Sequence, residues 1–164
     1  MPTINGKACV VNGAPVDKVF VDGRQLYGRN LYEGSYDSSW GFGVNGNATS
    51  QKVTMDSGEV ALHIVSPDNG SGIYFPLNFP SGTYTISLDV KGTGTVNRLG
   101  FEIFSETSVT LTSDWQRVSR TGPRYTGWQA FIIYGMMDIY VRLLKTEEGT
   151  IVTPWTPAPE DVQA

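Results

Sequence analysis

The residues best suited to chemistry lie between Trp128 and Lys145. Two β-rich runs, Trp128-Gln-Ala-Phe-Ile-Ile-Tyr134 and Met137-Asp-Ile-Tyr-Val-Arg-Leu-Leu-Lys145, flank Gly135-Met136. Branched and aromatic residues around a glycine break read as a hairpin. A two-residue turn sets Tyr134 against Met137, Ile132 against Ile139, Ala130 against Val141 and Trp128 against Leu143, all on one apolar face. The other face carries Gln129, Phe131, Ile133, Asp138, Tyr140, Arg142 and Leu144. Aromatics mixed with an amide, a carboxylate and a guanidinium suit a surface that binds sugar or protein. A slip of one residue would exchange the two faces.

Sugar recognition stacks apolar C–H faces on aromatic rings and gives the hydroxyls to planar polar groups. Tyr140 with Gln129, Arg142 and Asp138 fits that description. Arg98 and Glu102 point outward from an expected strand over 96–104, and Asp89 from one over 83–91. If these strands share a sheet, all seven form one patch; the alternative is a salt-bridged solvent face. A second candidate is the Gly-rich loop 34–49, which holds Tyr36, Trp40 and Phe42. Long loops without structure of their own are often functional. There Trp40 either stacks on a ligand or plugs the end of the domain. Arg124 and Tyr125, in the loop 122–127, are placed to rim a site. Trp115 reads as structural and Trp128 as core.

Catalysis has little to stand on. A serine triad would depend wholly on His63, the single histidine, with no nucleophile elbow to serve it. That histidine reads as a hydrogen-bonded strand residue. A glycosidase needs two carboxylates roughly 5–9.5 Å apart, and Glu102 with Asp89 or Asp138 is the pair on offer. The single cysteine, Cys9, makes an intrachain disulfide and a thiolate metal site implausible. Carboxylates and carbonyls near turns leave room for a structural Ca²⁺, but no ligands are assigned. No other cofactor is implied.

The elements that must position these residues are strands. Over 164 residues, charged residues are only 17%, while aromatics reach 12% and glycines number 19. That composition suits an all-β sandwich or barrel. The net charge of −4 argues against nucleic acid, and no apolar run approaches the length of a membrane span. No leader opens the chain, so Sec export is not indicated. Strands are expected to begin at 30–32 and then to cover 51–55, 59–65, 73–77, 83–91, 96–104, 109–111 and 115–120, before the hairpin. Gly92-Thr93-Gly94 is the expected turn between 83–91 and 96–104. Leu99, Phe101 and Ile103 are expected inward, as are Tyr84, Ile86, Leu88 and Val90. Residues 1–28 form a separate arm or linker with hairpin turns at Asn5-Gly6, Asn12-Gly13 and Asp22-Gly23. Pairing around the last sets Val21 against Arg24 and Val19 against Leu26. Three prolines between 154 and 159 exclude a central strand and give a surface strap, with Trp155 anchored in the domain's own flank.

Five stretches carry a family resemblance. Asp17-Lys-Val-Phe-Val-Asp-Gly-Arg-Gln-Leu-Tyr-Gly-Arg-Asn-Leu31 resembles the connector ahead of carbohydrate-binding modules in tail proteins of phages that infect lactic acid bacteria. The core runs Ser81–Gly92, Trp115–Ser119 and Ile139–Gly149 agree with that pattern, and Pro154-Trp-Thr-Pro-Ala-Pro-Glu-Asp161 is similar to the terminal signature of those modules. The resemblance implies a non-catalytic jelly-roll β-sandwich of two antiparallel sheets over 29–164, attached to a distal tail, tail-associated or baseplate protein of the virion. Its implied partners are the cell-wall polysaccharide of a Gram-positive host and other tail proteins, and its implied role is host adsorption. A structural tail module that binds only protein, and a saccharide-degrading enzyme, are the alternatives.

Overall fold

The computed structural model describes residues 10–35, 37, 41–103 and 107–162. Cys9, Asn5-Gly6, Tyr36 and Trp40 lie outside them. The chain first makes two small ribbons, β1 (Val10–Val11) with β2 (Ala14–Pro15) and β3 (Lys18–Val21) with β4 (Arg24–Gly28). Both turn on the expected dipeptides. Asn12 and Gly13 have φ of 52° and 77°, and Asp22 and Gly23 have 50° and 77°, the double positive φ of a type I′ turn. Val11 pairs with Ala14 and Val21 with Arg24. A bulge after Val19 then moves its partner from the expected Leu26 to Tyr27.

Everything else hangs on two long antiparallel strands, β9 (Gly82–Phe101) and β12 (Ala130–Glu148). This corrects the expected hairpin at Gly135-Met136 and the expected turn at Gly92–Gly94, because the chain runs straight through both. The glycines serve close approach instead. A Cβ on Gly92 would strike the Asp138 carbonyl oxygen, one on Gly94 that of Met136, and one on Gly135 that of Thr95. Backbone that must pass so near another backbone admits only glycine. Gly94, with φ of 93°, also holds a conformation that other residues rarely adopt.

Shorter strands complete two layers along this ribbon. In one, β11 (Gln116–Arg124) pairs with the start of β9, and β7 (Val60–Ser66) and β6 (Thr49–Thr54) extend the sheet beyond the far half of β12. In the other, β10 (Thr107–Val109) pairs with the end of β9, and β8 (Gly72–Pro76) and β5 (Gly43–Asn45) extend it beyond the near half of β12. The inner faces of both layers bury one cluster that includes Leu62, Ile64, Ile73, Phe75, Ile86, Leu88, Leu99, Phe101, Phe131, Ile133, Ile139 and Val141. The result is an all-β sandwich. Residues 30–32, expected as a strand, are irregular, and Ile103, expected inward, is exposed.

Bulges set which side chains face out. The ladder between β9 and β12 shifts after Tyr134 and again after Arg142, where Leu143 takes φ of 51°. Each shift reverses the alternation of the strand that carries the extra residue, β9 at the first and β12 at the second. At the first shift the extra residue is Asn97, so β9 turns Val96 inward before it and Leu99 and Phe101 after it, while β12 keeps one alternation: Phe131, Ile133, Ile139 and Val141 enter the core, and Ala130, Ile132 and Tyr134 face the opposite way beside Tyr74. Leu144 is buried in the core, and Trp128 stands 65% exposed rather than in the core.

The two ends of the chain meet on the outer side of β12. Lys145 and Glu147 are buried there. Lys145 Nζ donates to Thr153 Oγ1 at 2.8 Å and to the Pro154 carbonyl at 2.7 Å, 3.5 Å from Glu147. Thr153 donates its hydroxyl and its N–H to Glu147 and accepts from the Gly28 N–H at 3.2 Å. Asn30 donates to the carbonyls of Leu144 and Thr156 and accepts from the N–H groups of Tyr32 and Thr146. Arg29 joins Asp17 to Glu160. The Pro-rich segment, ending in the single turn α1 (Pro159–Val162), is thus a strap, and Trp155 donates to Ser35 within it. Tyr27 is buried under the same clasp.

Two outcomes follow. Gly135→Val forces the Thr95 backbone away and should lower stability by roughly 2–4 kcal/mol in thermal or denaturant unfolding. The second concerns pH. Burial lowers the Lys145 pKa to about 8, with Glu147 opposing. Between that value and the ordinary lysine value the unfolded chain binds the extra proton, so stability rises with pH. Unfolding free energy should increase by roughly 1–2 kcal/mol from pH 8 to 9.5. Above pH 10 it should fall, because burial holds the Tyr32 and Tyr84 hydroxyls protonated in the fold. Lys145→Met should abolish the rise while leaving the fall.

Candidate functional site

The expected patch divides between the two layers. On the layer of β6, β7, β12, β9 and β11, the outer face brings together Asp138, Tyr140, Arg142 and Asp89, as expected. Pairing adds His63 opposite Tyr140, Lys91 on its other side and Arg117 opposite Asp89. Trp115, one residue before β11, stands beside Lys91. Arg98 and Glu102 belong to the other layer. Gln129 is buried and structural: its Oε1 accepts from the Tyr125 N–H and from Arg124. Glu102 lies beside Ala130, eight residues from Asp138 along β12. That is roughly 26 Å of strand, so the paired carboxylates of a glycosidase do not form there.

The polar face is densely self-paired. Arg142 bridges Glu59 and Asp89, the latter at 3.3 Å. Arg117 bonds Asp89 at 3.0 Å, Ser87 at 2.9 Å and the bulged Leu143 carbonyl at 2.7 Å. His63 bonds Asp138 at 2.7 Å and stacks on Tyr140 at 4.5 Å, nearly parallel. The Arg142 guanidinium lies 4.0 Å from the Trp115 ring centre, and the Lys91 ammonium 4.9 Å from it. One face of Tyr140 and one face of Trp115 are therefore covered by the protein's own groups. This surface hydrogen-bonds well and stacks poorly.

The other layer has the opposite character. Its outer side carries the buried Ile132 and Tyr134, the partly buried Tyr74 and the exposed Trp128, with Gly100, Gly72 and Gly43 paired opposite Ile132, Tyr134 and Tyr74. The tip of Tyr74 rests over Gly43, where any Cβ would clash. Trp128 meets Tyr74 edge-to-face at 5.9 Å, and Arg98 lies 5.6 Å from the Tyr134 ring. Beside Tyr74 opens a groove of about 500 Å³ lined by Tyr32, Phe42, Gly43, Pro76 and Phe79, with Glu33 and Asn78 exposed on its rim. An apolar, aromatic cleft with a few polar rim groups is the usual form of a small-molecule site. Phe42 belongs to the loop singled out in the sequence. Tyr74 and Trp128 were missed, one read as a plain strand residue and the other as core. The signal that could have found Tyr74 is its position in a short strand whose next outward residue is Pro76.

Groups of three or more His, Cys, Asp or Glu suited to a metal are absent among the described residues. No family model and no curated protein matches the chain. Solved structures do. The C-terminal family 22 carbohydrate-binding module of Clostridium thermocellum xylanase 10B matches at TM-score 0.57 and 13% identity, over 75% of this chain and 96% of that one. The fold is a jelly roll. A family 61 module in complex with β-1,4-galactotriose matches at TM-score 0.50 and 14% identity, over 74% and 99%. A two-module piece of the Clostridium xylanase, complexed with xylohexaose, matches at TM-score 0.55 and 14% identity over 67% of this chain, which spans only 26% of it.

The pairing around Asp89 gives a direct check. Arg142→Ala leaves Glu59 with only its Ser57 hydrogen bond among the described residues and removes one of the two arginines on Asp89. Stability should drop by roughly 1–3 kcal/mol in denaturant unfolding, with less effect from Glu59→Gln at the exposed end.

Proposed function

We propose that this chain is a non-catalytic saccharide-binding module whose ligand lies in the groove beside Tyr74. The observation that carries this reading is the groove itself. It is open, it is walled by Phe42, Tyr74, Pro76 and Phe79, and the exposed indole of Trp128 extends its aromatic surface. Rings on one strip offer stacking to successive sugar units, and Glu33 and Asn78 offer hydroxyl partners at the rim. The jelly roll it shares with saccharide-binding modules supports the same reading.

The setting we propose is a phage tail, where the module contributes to adsorption on the wall polysaccharide of a Gram-positive host. Support comes from the connector and terminal segments that resemble those of tail modules. In the fold those two segments clasp each other through Arg29, Asn30, Thr153 and Glu160. A single shallow groove binds weakly, but several copies on one tail tip can raise avidity by roughly 10²–10⁴.

A second reading, a docking or spacer module of the same particle, draws on the N-terminal ribbons. Val11, Phe20, Val21 and Leu26 are all exposed there. The test separates the two. Fused to a fluorescent protein, the chain should be retained on Gram-positive walls, and chemical stripping of wall polysaccharide should abolish retention. Tyr74→Ala and Trp128→Ala should each weaken it by roughly tenfold or more; the exposed Trp128 can be replaced with little change in unfolding temperature, whereas Tyr74→Ala, which removes packing on Ile132 and Tyr134, should lower it. Retention lost instead through Phe20→Ser with Leu26→Ser, and indifferent to Tyr74, would favour protein docking.

A further inference from the structure

One row of side chains crosses all five strands of the polar layer: Gln51 on β6, His63 on β7, Tyr140 on β12, Lys91 on β9, and Trp115 just ahead of β11. Neighbouring strands stand about 4.8 Å apart, so the row spans roughly 19 Å. Its members touch in sequence: His63 stacks on Tyr140, and Lys91 sits between Tyr140, at 5.8 Å, and Trp115, at 4.9 Å. Beside His63 and Gln51 lies a hollow of about 200 Å³, lined also by Thr49, Ser50 and Val65.

The charges on this face are committed with one exception. Arg142 and Arg117 are taken up by Glu59 and Asp89, and Asp138 by His63. Lys91 has aromatic neighbours but no carboxylate partner among the described residues. An ammonium held between two rings, partly exposed and without a counter-ion, is an anion site in waiting. Glu59, Asp89 and Asp138 balance Arg117, Arg142 and Lys91 over the face as a whole, so any attraction is local to Lys91. The ring faces are largely covered, so a ligand here gains more from hydrogen bonds and charge than from stacking.

We propose that this row is a second ligand site, which takes an anionic saccharide residue with its carboxylate or phosphate on Lys91 and the neighbouring sugar in the hollow beside His63 and Gln51. The proposal rests on the saccharide-binding reading and adds a second chemistry to it. The groove beside Tyr74 engages apolar ring faces, and this row engages the charged unit of the same or another polysaccharide. Lys91 and His63 are two strands apart, about 10 Å, so the ligand covers the edge of the Tyr140–His63 stack.

The test measures affinity electrophoresis and titration calorimetry of the whole chain against defined probes. Trigalacturonate and a glycerol-phosphate oligomer carry the two anionic groups, and neutral galactotriose and xylotriose serve as controls. The expected result is binding of at least one anionic probe that weakens with added salt. Lys91→Gln should cost roughly tenfold or more, Lys91→Arg should keep most of the affinity, and Gln51→Ala should reduce it. Tyr74→Ala should leave it unchanged. Circular dichroism of each variant shows that the fold is retained. Anionic binding that survives Lys91→Gln, or that is lost with Tyr74→Ala, overturns the second site. Binding of neutral probes alone, lost with Tyr74→Ala, overturns it as well while the groove reading stands. Absence of binding to every probe, together with failure to be retained on walls, overturns both.

Discussion

The contact between the backbones of β9 and β12 is the constraint on which the rest depends. Two strands of about twenty residues can stay paired through a change of layer only if they pass closely where they bend. Gly92, Gly94 and Gly135 sit at those points, each against a carbonyl oxygen of the partner strand. With side chains there the ribbon would open, and the shorter strands of both layers would lose their templates. The bulges after Tyr134 and Arg142 are the other half of the same device. They re-aim the alternation so that both layers present an apolar inner face to one core.

The outer faces then divide the available chemistry. One layer puts aromatic rings beside a groove, with glycine beneath Tyr74 and solvent against Trp128. The other ties arginines, carboxylates, a histidine and two rings into a lattice in which most groups already have a partner. The Lys145–Glu147–Thr153 clasp covers one end of that second layer. It explains why the outward Thr85 and Ser87 of β9 are as buried as their inward neighbours Ile86 and Leu88. Burial of a lysine with a carboxylate is costly by itself, and here each member also bonds Thr153. The polar node thus specifies where the strap lands, and packing around Tyr27 adds the apolar part of its adhesion.

Much of the fold was legible in the sequence, and what failed did so for identifiable reasons. Alternation of Tyr84, Ile86, Leu88 and Val90 marked a core strand, and Asn12-Gly13 and Asp22-Gly23 marked turns whose φ values leave few other residues suitable. The error at Gly92–Gly94 and Gly135 came from treating glycine as a turn signal. In a long bent ribbon the same residue signals close approach, and local sequence does not separate the two. Misplacing Gly135 in turn misassigned Trp128, Ile132, Phe131 and Ile133, because a two-residue turn sets even positions before it on the face of odd positions after it, whereas the straight strand keeps 131, 133, 139 and 141 together. The cluster of Asp89, Asp138, Tyr140 and Arg142 was recovered, since its β12 members lie beyond the misread break and pair with β9 as far as Asp89 without a register shift between them. Tyr74 escaped notice because its role depends on Gly43, thirty-one residues away and visible only once β5 and β8 pair.

The central claim is that the aromatic groove, not the N-terminal ribbons, meets a saccharide. Amide chemical-shift mapping tests it most directly, with the isotope-labelled chain titrated against the neutral fraction of a hydrolysed Gram-positive wall polysaccharide. The account predicts saturable shifts centred on Gly43, Tyr74, Asn78 and Phe79 and on the indole N–H of Trp128. Shifts confined to residues 10–28, or none at concentrations where the fusion is retained on intact walls, would contradict it.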